Sequence, residues 1–328
     1  MQKNNSNRRA LDSISILVTC YNKSKFIENA SKYLVEAVSL GAQVVIVDDG
    51  SSDNSFDLLK KYFLHFSNQN TKDILITKIP NVGSAGARNF ALDRAVKQYC
   101  IFVDIDDKLD INSLSLLLNE FKQSNTDFCM SNYSNNSNSS LVDNLLVNES
   151  KAIKDVSEIR DLFFEKLGYW RIIYSTKILR RNHLRFMPTF KDLNDSYFIL
   201  DDVFWLLQVY SLKNSSWYVS QSTSYYTYTL NDSGVDSWKL FISQVLKFPK
   251  AAYLVMKNDF SKDLDFIWIK KNIHNQVKNH SRYLPASKII QYFFSCIKYF
   301  RFSFAFEVLL NSSNFRIKRK FRSLLKTH

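Results

Sequence analysis

Short apolar runs alternate with longer segments of helical character through the first 131 residues of the chain. Ile14–Cys20 (ISILVTC) and residues 43–47 (QVVIV) are apolar and β-branched almost throughout, the pattern of strands buried on both faces. Residues 73–79 and 99–103 read as two further strands. Between them, residues 24–40, 55–66 and 81–98 read as helices, the first closed by Gly41. A helix over 111–124 and a strand over 127–131 complete this part. Strands alternating with helices predict a parallel sheet with right-handed crossovers.

Beyond this point the pattern changes. Residues 132–140 are almost all Asn and Ser, a surface loop or hairpin tip. Helices are expected over 156–167 and 201–210, and strands near 216–228. From Trp238 onward the chain is helical, basic and aromatic, without internal repeats. The expected organisation is a polar tail (1–12), an α/β half (13–131), a mixed half (132–237) and a helical, basic extension (238–328).

Composition narrows this further. At 328 residues, 45% hydrophobic and 15% aromatic, the chain builds one sizeable core with an appended region, and wholesale disorder is excluded. The charge of +13 favours anionic partners: nucleotide phosphates, acidic lipids, acidic glycans or nucleic acid. Nucleic acid is disfavoured, because no recognised module is present and the charge is not organised around stacking platforms. Four cysteines without CxxC or metal spacing read as reduced thiols in a cytosolic setting. The polar start lacks the apolar core of a signal peptide, and no run of 18 uncharged apolar residues predicts a spanning helix. Near the end, Arg316, Lys318, Arg319, Lys320, Arg322 and Lys326 crowd together. They form either a solvated tail or a surface adhering to the anionic inner face of the cytoplasmic membrane.

The chemistry is expected at strand ends, where open parallel sheets bind ligands. Thr19-Cys20-Tyr21-Asn22, Asp48-Asp49-Gly50-Ser51 and Asp104-Ile105-Asp106-Asp107 each follow an apolar strand. Clustered carboxylates repel one another unless a cation joins them, and hard oxygen ligands select Mg²⁺ or Mn²⁺. The same acidic cluster also suits an N-cap for the helix starting at Ile111. Asp49 can accept a hydrogen bond from a base or ribose, and Tyr21 can stack on the base; both also suit an ordinary turn and an exposed tyrosine. Residues 81–89 hold two glycines and Arg88, which can pair with phosphate or with carboxylates opposite. This segment is neither GxGxxG nor a P-loop, so dinucleotide and P-loop readings fall away.

Taken together, VTCYN, VDDGSSDNS, NVGSAGARN and FVDIDD, in this order and spacing, resemble the family-2 group of GT-A glycosyltransferases. The resemblance covers roughly residues 13–130 and thins through about residue 233. It implies a GT-A, Rossmann-like α/β fold for nucleotide-diphospho-sugar transfer, with a mainly helical C-terminal extension. It implies a nucleotide-sugar donor, most often UDP-linked, and inverting transfer to a glycan or lipid-linked acceptor in bacterial surface polysaccharide assembly. Thr19, Tyr21, Asp49 and Arg88 would contact base and ribose. Asp104 and Asp106 would form the DxD pair meeting ribose, diphosphate and Mn²⁺ or Mg²⁺, with Asp107 beside them. Asp202 would be the catalytic base, with Asp201 where Glu is usual; two adjacent carboxylates leave that assignment open between them. Trp170, in Tyr169-Trp170-Arg171, would stack on the acceptor, though it equally suits a core. Tyr226-Thr227-Tyr228-Thr229 departs from the family pattern at Thr229, where a basic residue is common, and Phe90 departs where glycine is usual. Two rivals belong to other classes. A nucleotidyltransferase would need a glycine-rich basic loop that residues 19–25 do not offer, and a non-catalytic binding module would not need the intact acidic motifs.

Overall fold

The computed structural model describes residues 10–67, 73–134, 149–163, 168–186, 201–226, 265, 271–273 and 286–299. The chain divides into two compact units, Met1–Thr189 with Asp201–Leu230, and Phe190–Leu200 with Asn231–His328.

The first unit begins as its apolar pattern dictates. β1 (Ile14–Cys20), β2 (Gln43–Asp48), β3 (Ile74–Lys78) and β4 (Tyr99–Asp104) are joined through α1 (Ile27–Ser39), α2 (Ser55–Ser67) and α3 (Gly83–Asp93). They pair in parallel in the order β3-β2-β1-β4. Gly41, at φ +95°, takes the left-handed conformation that ends α1. Ile16, Val18, Val44, Ile46, Ile101 and Val103 pack into one core with Leu34 of α1, and with Leu59 and Phe63 of α2. Leu114, Leu118 and Phe121 of α4 (Ile111–Ser124) join the same core. Each such side chain contributes about 1.5–3 kcal/mol on burial, which is why these runs carry almost no polar residues.

The remainder of the sheet is mixed, not parallel. After β5 (Lys108–Leu109) and β6 (Phe128–Ser134) come β7 (Lys151–Ile153), α5 (Val156–Phe163), β8 (Ile172–Ser175), α6 (Thr176–Arg181), α7 (Asp201–Ser211) and β9 (Trp217–Tyr226). β8 inserts between β4 and β6, antiparallel to both. β9 then runs parallel to β6 and antiparallel to β5 and β7.

An aromatic cluster docks α7 onto this sheet. Phe102 meets Phe186 edge-on at 5.0 Å, and Tyr174 and Trp205 at 5.6 Å each. Trp205 stacks on Phe186 at 4.2 Å, and its indole N–H donates to the Tyr174 hydroxyl at 3.0 Å. Buried Trp and Tyr need such partners. The result fixes α7 by its apolar side, with its acidic first turn, Asp201 and Asp202, left at the helix start.

Two expected boundaries are corrected. α3 stops at Asp93 instead of near 98, because Gln43 and Ser15 take its next amides: Val96 N–H donates to Gln43 Oε1 at 2.9 Å and Lys97 N–H to Ser15 Oγ at 3.2 Å. β6 continues through Ser134, so residues 132–134 are strand; Asn132 is buried and donates to the Gln221 carbonyl at 2.7 Å. A further strand and helix, β8 and α6, occupy the segment that the sequence left unassigned. The remainder of the Asn/Ser segment and the basic run 316–326 lie outside the described residues.

In the second unit, α8 (Ala286–Tyr299) buries Tyr292, Phe293 and Cys296 and exposes Phe294. Among the described residues, no helix is long and apolar enough to cross a membrane.

Candidate active site

The site forms where three parallel strands end side by side. Thr19 is in register with Asp104 of β4 and with Val47 of β2, and Cys20 is in register with Asp48. Thr19 Oγ1 donates to Asp104 Oδ1 at 3.0 Å. The acidic cluster is not the cap of the helix that follows it. Asp110 fills that position, its Oδ1 accepting from the Ser113 N–H at 2.7 Å.

Arg88 organises the centre. It projects from α3 into the protein and is only 7% exposed. Nη2 donates to Asp104 Oδ1 at 3.0 Å and Oδ2 at 3.4 Å, while Nη1 donates to Asp201 Oδ2 at 2.6 Å. Ser84, from the same glycine-rich turn of α3, donates to Asp201 Oδ2 at 2.9 Å. The guanidinium lies 4.5 Å from the Tyr169 ring centroid and 5.4 Å from that of Phe186. Tyr169 in turn donates its hydroxyl to Asp104 Oδ2 at 2.9 Å. One cation thus ties a strand-end carboxylate to the first residue of α7.

The protonation equilibria follow from this geometry. Burial raises the Asp104 pKa, but the Arg88 charge and the hydrogen bonds from Tyr169, Arg88 and Thr19 outweigh it and hold the carboxyl below its ordinary range. In Asp201, burial wins over Arg88 and Ser84, and the carboxyl is pushed up. Burial works against the Arg88 cation, yet Tyr169, Asp104 and Asp201 keep it charged, above its ordinary value.

The neighbouring strand end is tightly built. One oxygen of buried Asp49 accepts from the Val82 N–H at 2.8 Å, and its carbonyl accepts from Asn81 Nδ2 at 3.0 Å. Burial pushes the Asp49 carboxyl up despite the amides of Val82 and Gly83. Gly50, at φ +73°, lies against the chain at Asn81, whose nitrogen a Cβ would meet at 2.8 Å. The β1–α1 loop is fastened to the β2–α2 loop by three successive amides: Asn22 to Ser51 Oγ, Lys23 to Ser55 Oγ and Ser24 to Asp53 Oδ2, at 2.9–3.1 Å. Asn22, itself left-handed at φ 51°, accepts from Ser52 N–H at 2.8 Å.

Asp106 and Asp107 lie on the turn after β4. Lys23 forms an ion pair with Asp106, both side chains about 30% exposed (31% and 29%). The Asp107 N–H donates to the Asp104 carbonyl at 2.9 Å, and its carbonyl accepts from the Tyr33 hydroxyl at 3.1 Å. Phe26, Tyr33, Glu36 and Asp106 line a cavity of about 370 Å³ beside this turn.

Of the residues expected from sequence, Thr19, Arg88, Asp104 and Asp201 form one connected network. Tyr21, 49% exposed, and Asp49 stand at the adjoining strand ends. Asp202 is half-buried beside Asp201. Trp170 is half-buried and packs against the sheet core. Its neighbour Tyr169 is the residue of that segment that reaches the site, and sequence reasoning passed over it, as it did Ser84 and Lys23. The usable signals were a tyrosine next to the expected stacking tryptophan, a hydroxyl in the glycine turn, and a lysine following the first strand end. Thr229 lies outside the described residues.

The donor set suits a hard divalent cation sparingly. Among the described residues, no three acidic, His or Cys side chains converge on one point. Asp106, however, already holds a cation in the Lys23 ammonium. One or two carboxylates completed by phosphate oxygens is the usual environment of Mg²⁺ with a nucleotide.

Comparison with known proteins gives a consistent picture. The family model for glycosyl transferase family 2 matches residues 15–185. Glycosyltransferase GlyG of Streptococcus pneumoniae is 24% identical over 185 residues, 56% of this chain and 58% of that protein. The teichoic acid poly(glycerol phosphate) polymerase of Staphylococcus epidermidis is 26% identical over 195 residues, 58% of this chain and 26% of that protein. The chain thus spans less than two thirds of the length of either relative. The crystal structure of S. aureus TarS 1-349 in complex with UDP-GlcNAc superposes with a TM-score of 0.62 at 16% identity, covering 95% of this chain and 92% of that one. At that identity the likeness establishes the fold, the GT-A α/β architecture expected from sequence.

Proposed function

Because the chain belongs to glycosyl transferase family 2, we propose that it transfers a sugar from a UDP-linked donor to a hydroxyl of a glycan or lipid-linked acceptor in bacterial surface polysaccharide assembly. The observation that carries this reading is the Asp104–Arg88–Asp201 bridge, which sets the strand-end carboxylates and the acidic start of α7 around one centre. The UDP-GlcNAc complex of the structural neighbour and the surface-polymer enzymes among the relatives support the donor and acceptor classes.

In this reading Tyr21 stacks on the base, and Thr19 and Asp49 border base and ribose. Asp104 and Asp106, with Asp107 beside them, would hold Mn²⁺ or Mg²⁺. That cation, when bound, neutralises the diphosphate as a leaving group. Arg88 keeps Asp104 ionised, so negative charge at the strand end is available without titrating near neutral pH. Asp201 is bonded to Arg88 and Ser84, and half-buried Asp202 beside it at the start of α7 is assigned as the base. Asp202 accepts the acceptor hydroxyl's proton while that oxygen attacks the anomeric carbon. The bond from that carbon to the diphosphate oxygen breaks on the opposite face, and configuration inverts. Trp170 is assigned to the acceptor, as a ring for a sugar face. The basic residues 316–326 offer a contact for an anionic membrane carrying the acceptor.

Release of nucleoside diphosphate from a panel of sugar nucleotides, with and without Mn²⁺, tests this. Wild type is expected to turn over a UDP-sugar and to need the metal. Full turnover by Asp106→Asn or Asp202→Asn removes that residue from its role. Binding without turnover across a broad donor and acceptor panel points instead to a non-catalytic module.

A further inference from the structure

Arg88 is buried and bridges two protein carboxylates. Lys23 is different. It is half-exposed at the end of β1, and its ammonium sits on the Asp106 carboxylate. Its placement is built, because the amides of residues 22, 23 and 24 are each fixed by a side chain of the β2–α2 loop. The Phe26 ring, 5.4 Å from Nζ, supports the ammonium from a second side. A lysine held this firmly at its backbone can still swing its head by rotating its stem, because Lys is a compact charge on a flexible chain.

Asp106 cannot give its carboxylate fully to both an ammonium and a divalent cation. The diphosphate oxygens of a donor bearing one divalent cation remain acceptors for a charge-assisted hydrogen bond from an ammonium, and the charge that develops as the sugar leaves strengthens it. Building on the donor site assigned above, we propose that Lys23 is a donor-binding residue that works by hand-over. Without donor it occupies Asp106; with donor it yields Asp106 to the metal and moves onto the diphosphate. The hand-over makes metal and nucleotide binding interdependent, since each removes an obstacle to the other, and such coupling is reciprocal.

The test is calorimetric titration of the full chain with Mn²⁺ alone, with UDP alone and with UDP in saturating Mn²⁺, for wild type, Lys23→Met and Lys23→Arg. Wild type is expected to bind Mn²⁺ weakly alone and more tightly with UDP. In Lys23→Met, Mn²⁺ alone should bind several-fold tighter, UDP with Mn²⁺ about tenfold weaker, and the coupling should shrink. Lys23→Arg should restore UDP affinity. Thermal melts of the variants confirm that each is folded. Unchanged UDP affinity in Lys23→Met, or Mn²⁺ affinity that does not rise, overturns the proposal and leaves the donor reading standing. Wild type that binds UDP equally with and without Mn²⁺ overturns the hand-over. Wild type that binds no nucleoside diphosphate, whether UDP, GDP or CDP, overturns the donor reading and the proposal with it.

Discussion

Arg88 donates to Asp201 at 2.6 Å across 113 residues of sequence, and the same guanidinium holds Asp104. One buried cation therefore separates two carboxylates that would otherwise face each other. Removing it leaves uncompensated buried charge, and such losses cost about 3–5 kcal/mol. Arg88→Ala should unfold at markedly lower urea concentration than wild type. Without the cation, the two carboxyls are relieved only by protonation, so the deficit should shrink as pH falls. Arg88→Lys should recover little, because an ammonium does not reproduce the two-ended geometry. Urea midpoints of the three proteins at neutral and mildly acidic pH decide this. A deficit independent of pH would show that the carboxylates are not what Arg88 compensates.

The native protein itself should show an acid-labile contribution from Asp104. Its folded pKa lies below the ordinary 3.8, so the stabilisation is complete above that value and is lost as pH falls through the lower folded one. Asp201 has the opposite sign, its raised carboxyl costing stability once ionised. Asp104→Asn should thus flatten the acid limb of the stability profile. Urea denaturation followed from neutral pH to below 3.8 measures the slope, and an unchanged slope refutes the assignment.

How far the sequence showed this arrangement depends on the range of the contacts involved. β1, β2 and β4 were legible because strands buried on both faces are nearly continuous apolar runs, and their polar ends marked the ligand edge. β8 was not, because Ile172–Ser175 is only 4 residues long and acquires its identity from partners on β4 and β6. The end of α3 was misplaced for the same reason: Gln43 and Ser15, far away in sequence, take the amides that would have continued the helix. At the site, Thr19, Arg88 and Asp104 meet, and Arg88 makes the pairing with carboxylates opposite that was one of its two readings from sequence. Nothing local in the sequence shows that Asp201 pairs with it. Tyr169 was obscured by the larger Trp170 beside it, since ring size does not tell which of two adjacent aromatics points to the site.

Tyr169→Phe isolates the hydroxyl that donates to Asp104 at 2.9 Å while keeping the ring against Arg88. The lost hydrogen bond to a charged acceptor is worth about 1.5–3 kcal/mol. Thermal unfolding should report a lower midpoint, and UDP affinity should fall with it. Trp170→Phe should lower stability through packing and leave UDP affinity unchanged. The reverse order of UDP effects would put the Trp170 ring, and not the Tyr169 hydroxyl, on the donor side of the site.

Gly50 should not tolerate a side chain. Alanine there must adopt φ +73° and bring Cβ to 2.8 Å from the Asn81 nitrogen, so strain and a backbone clash add. A destabilisation of about 1–3 kcal/mol is expected, read from urea midpoints. Because Asn81 and Val82 are bonded to Asp49, the shift should also weaken UDP binding. Wild-type stability in Gly50→Ala would mean that the two loops are not held as closely as described.

The two adjacent acids of α7 should separate cleanly by phenotype. Asp201 is buried, bonded to Arg88 and Ser84, and pushed up by that burial. Asp201→Asn keeps the shape and removes a buried charge whose ionisation costs stability, so the fold should hold, while UDP affinity and activity should fall together as Asp104 and α7 lose their charged anchor. Asp202 is half-buried at the helix start, and Asp202→Asn should leave the fold and UDP affinity intact. As the base, its loss should lower kcat by about 10²–10⁴-fold with little change in KM for the donor. Unfolding midpoints, UDP titration and steady-state nucleoside diphosphate release on both variants give the comparison. If Asp201→Asn keeps UDP affinity and loses turnover while Asp202→Asn turns over normally, the base is Asp201, and Arg88 then tunes the base itself.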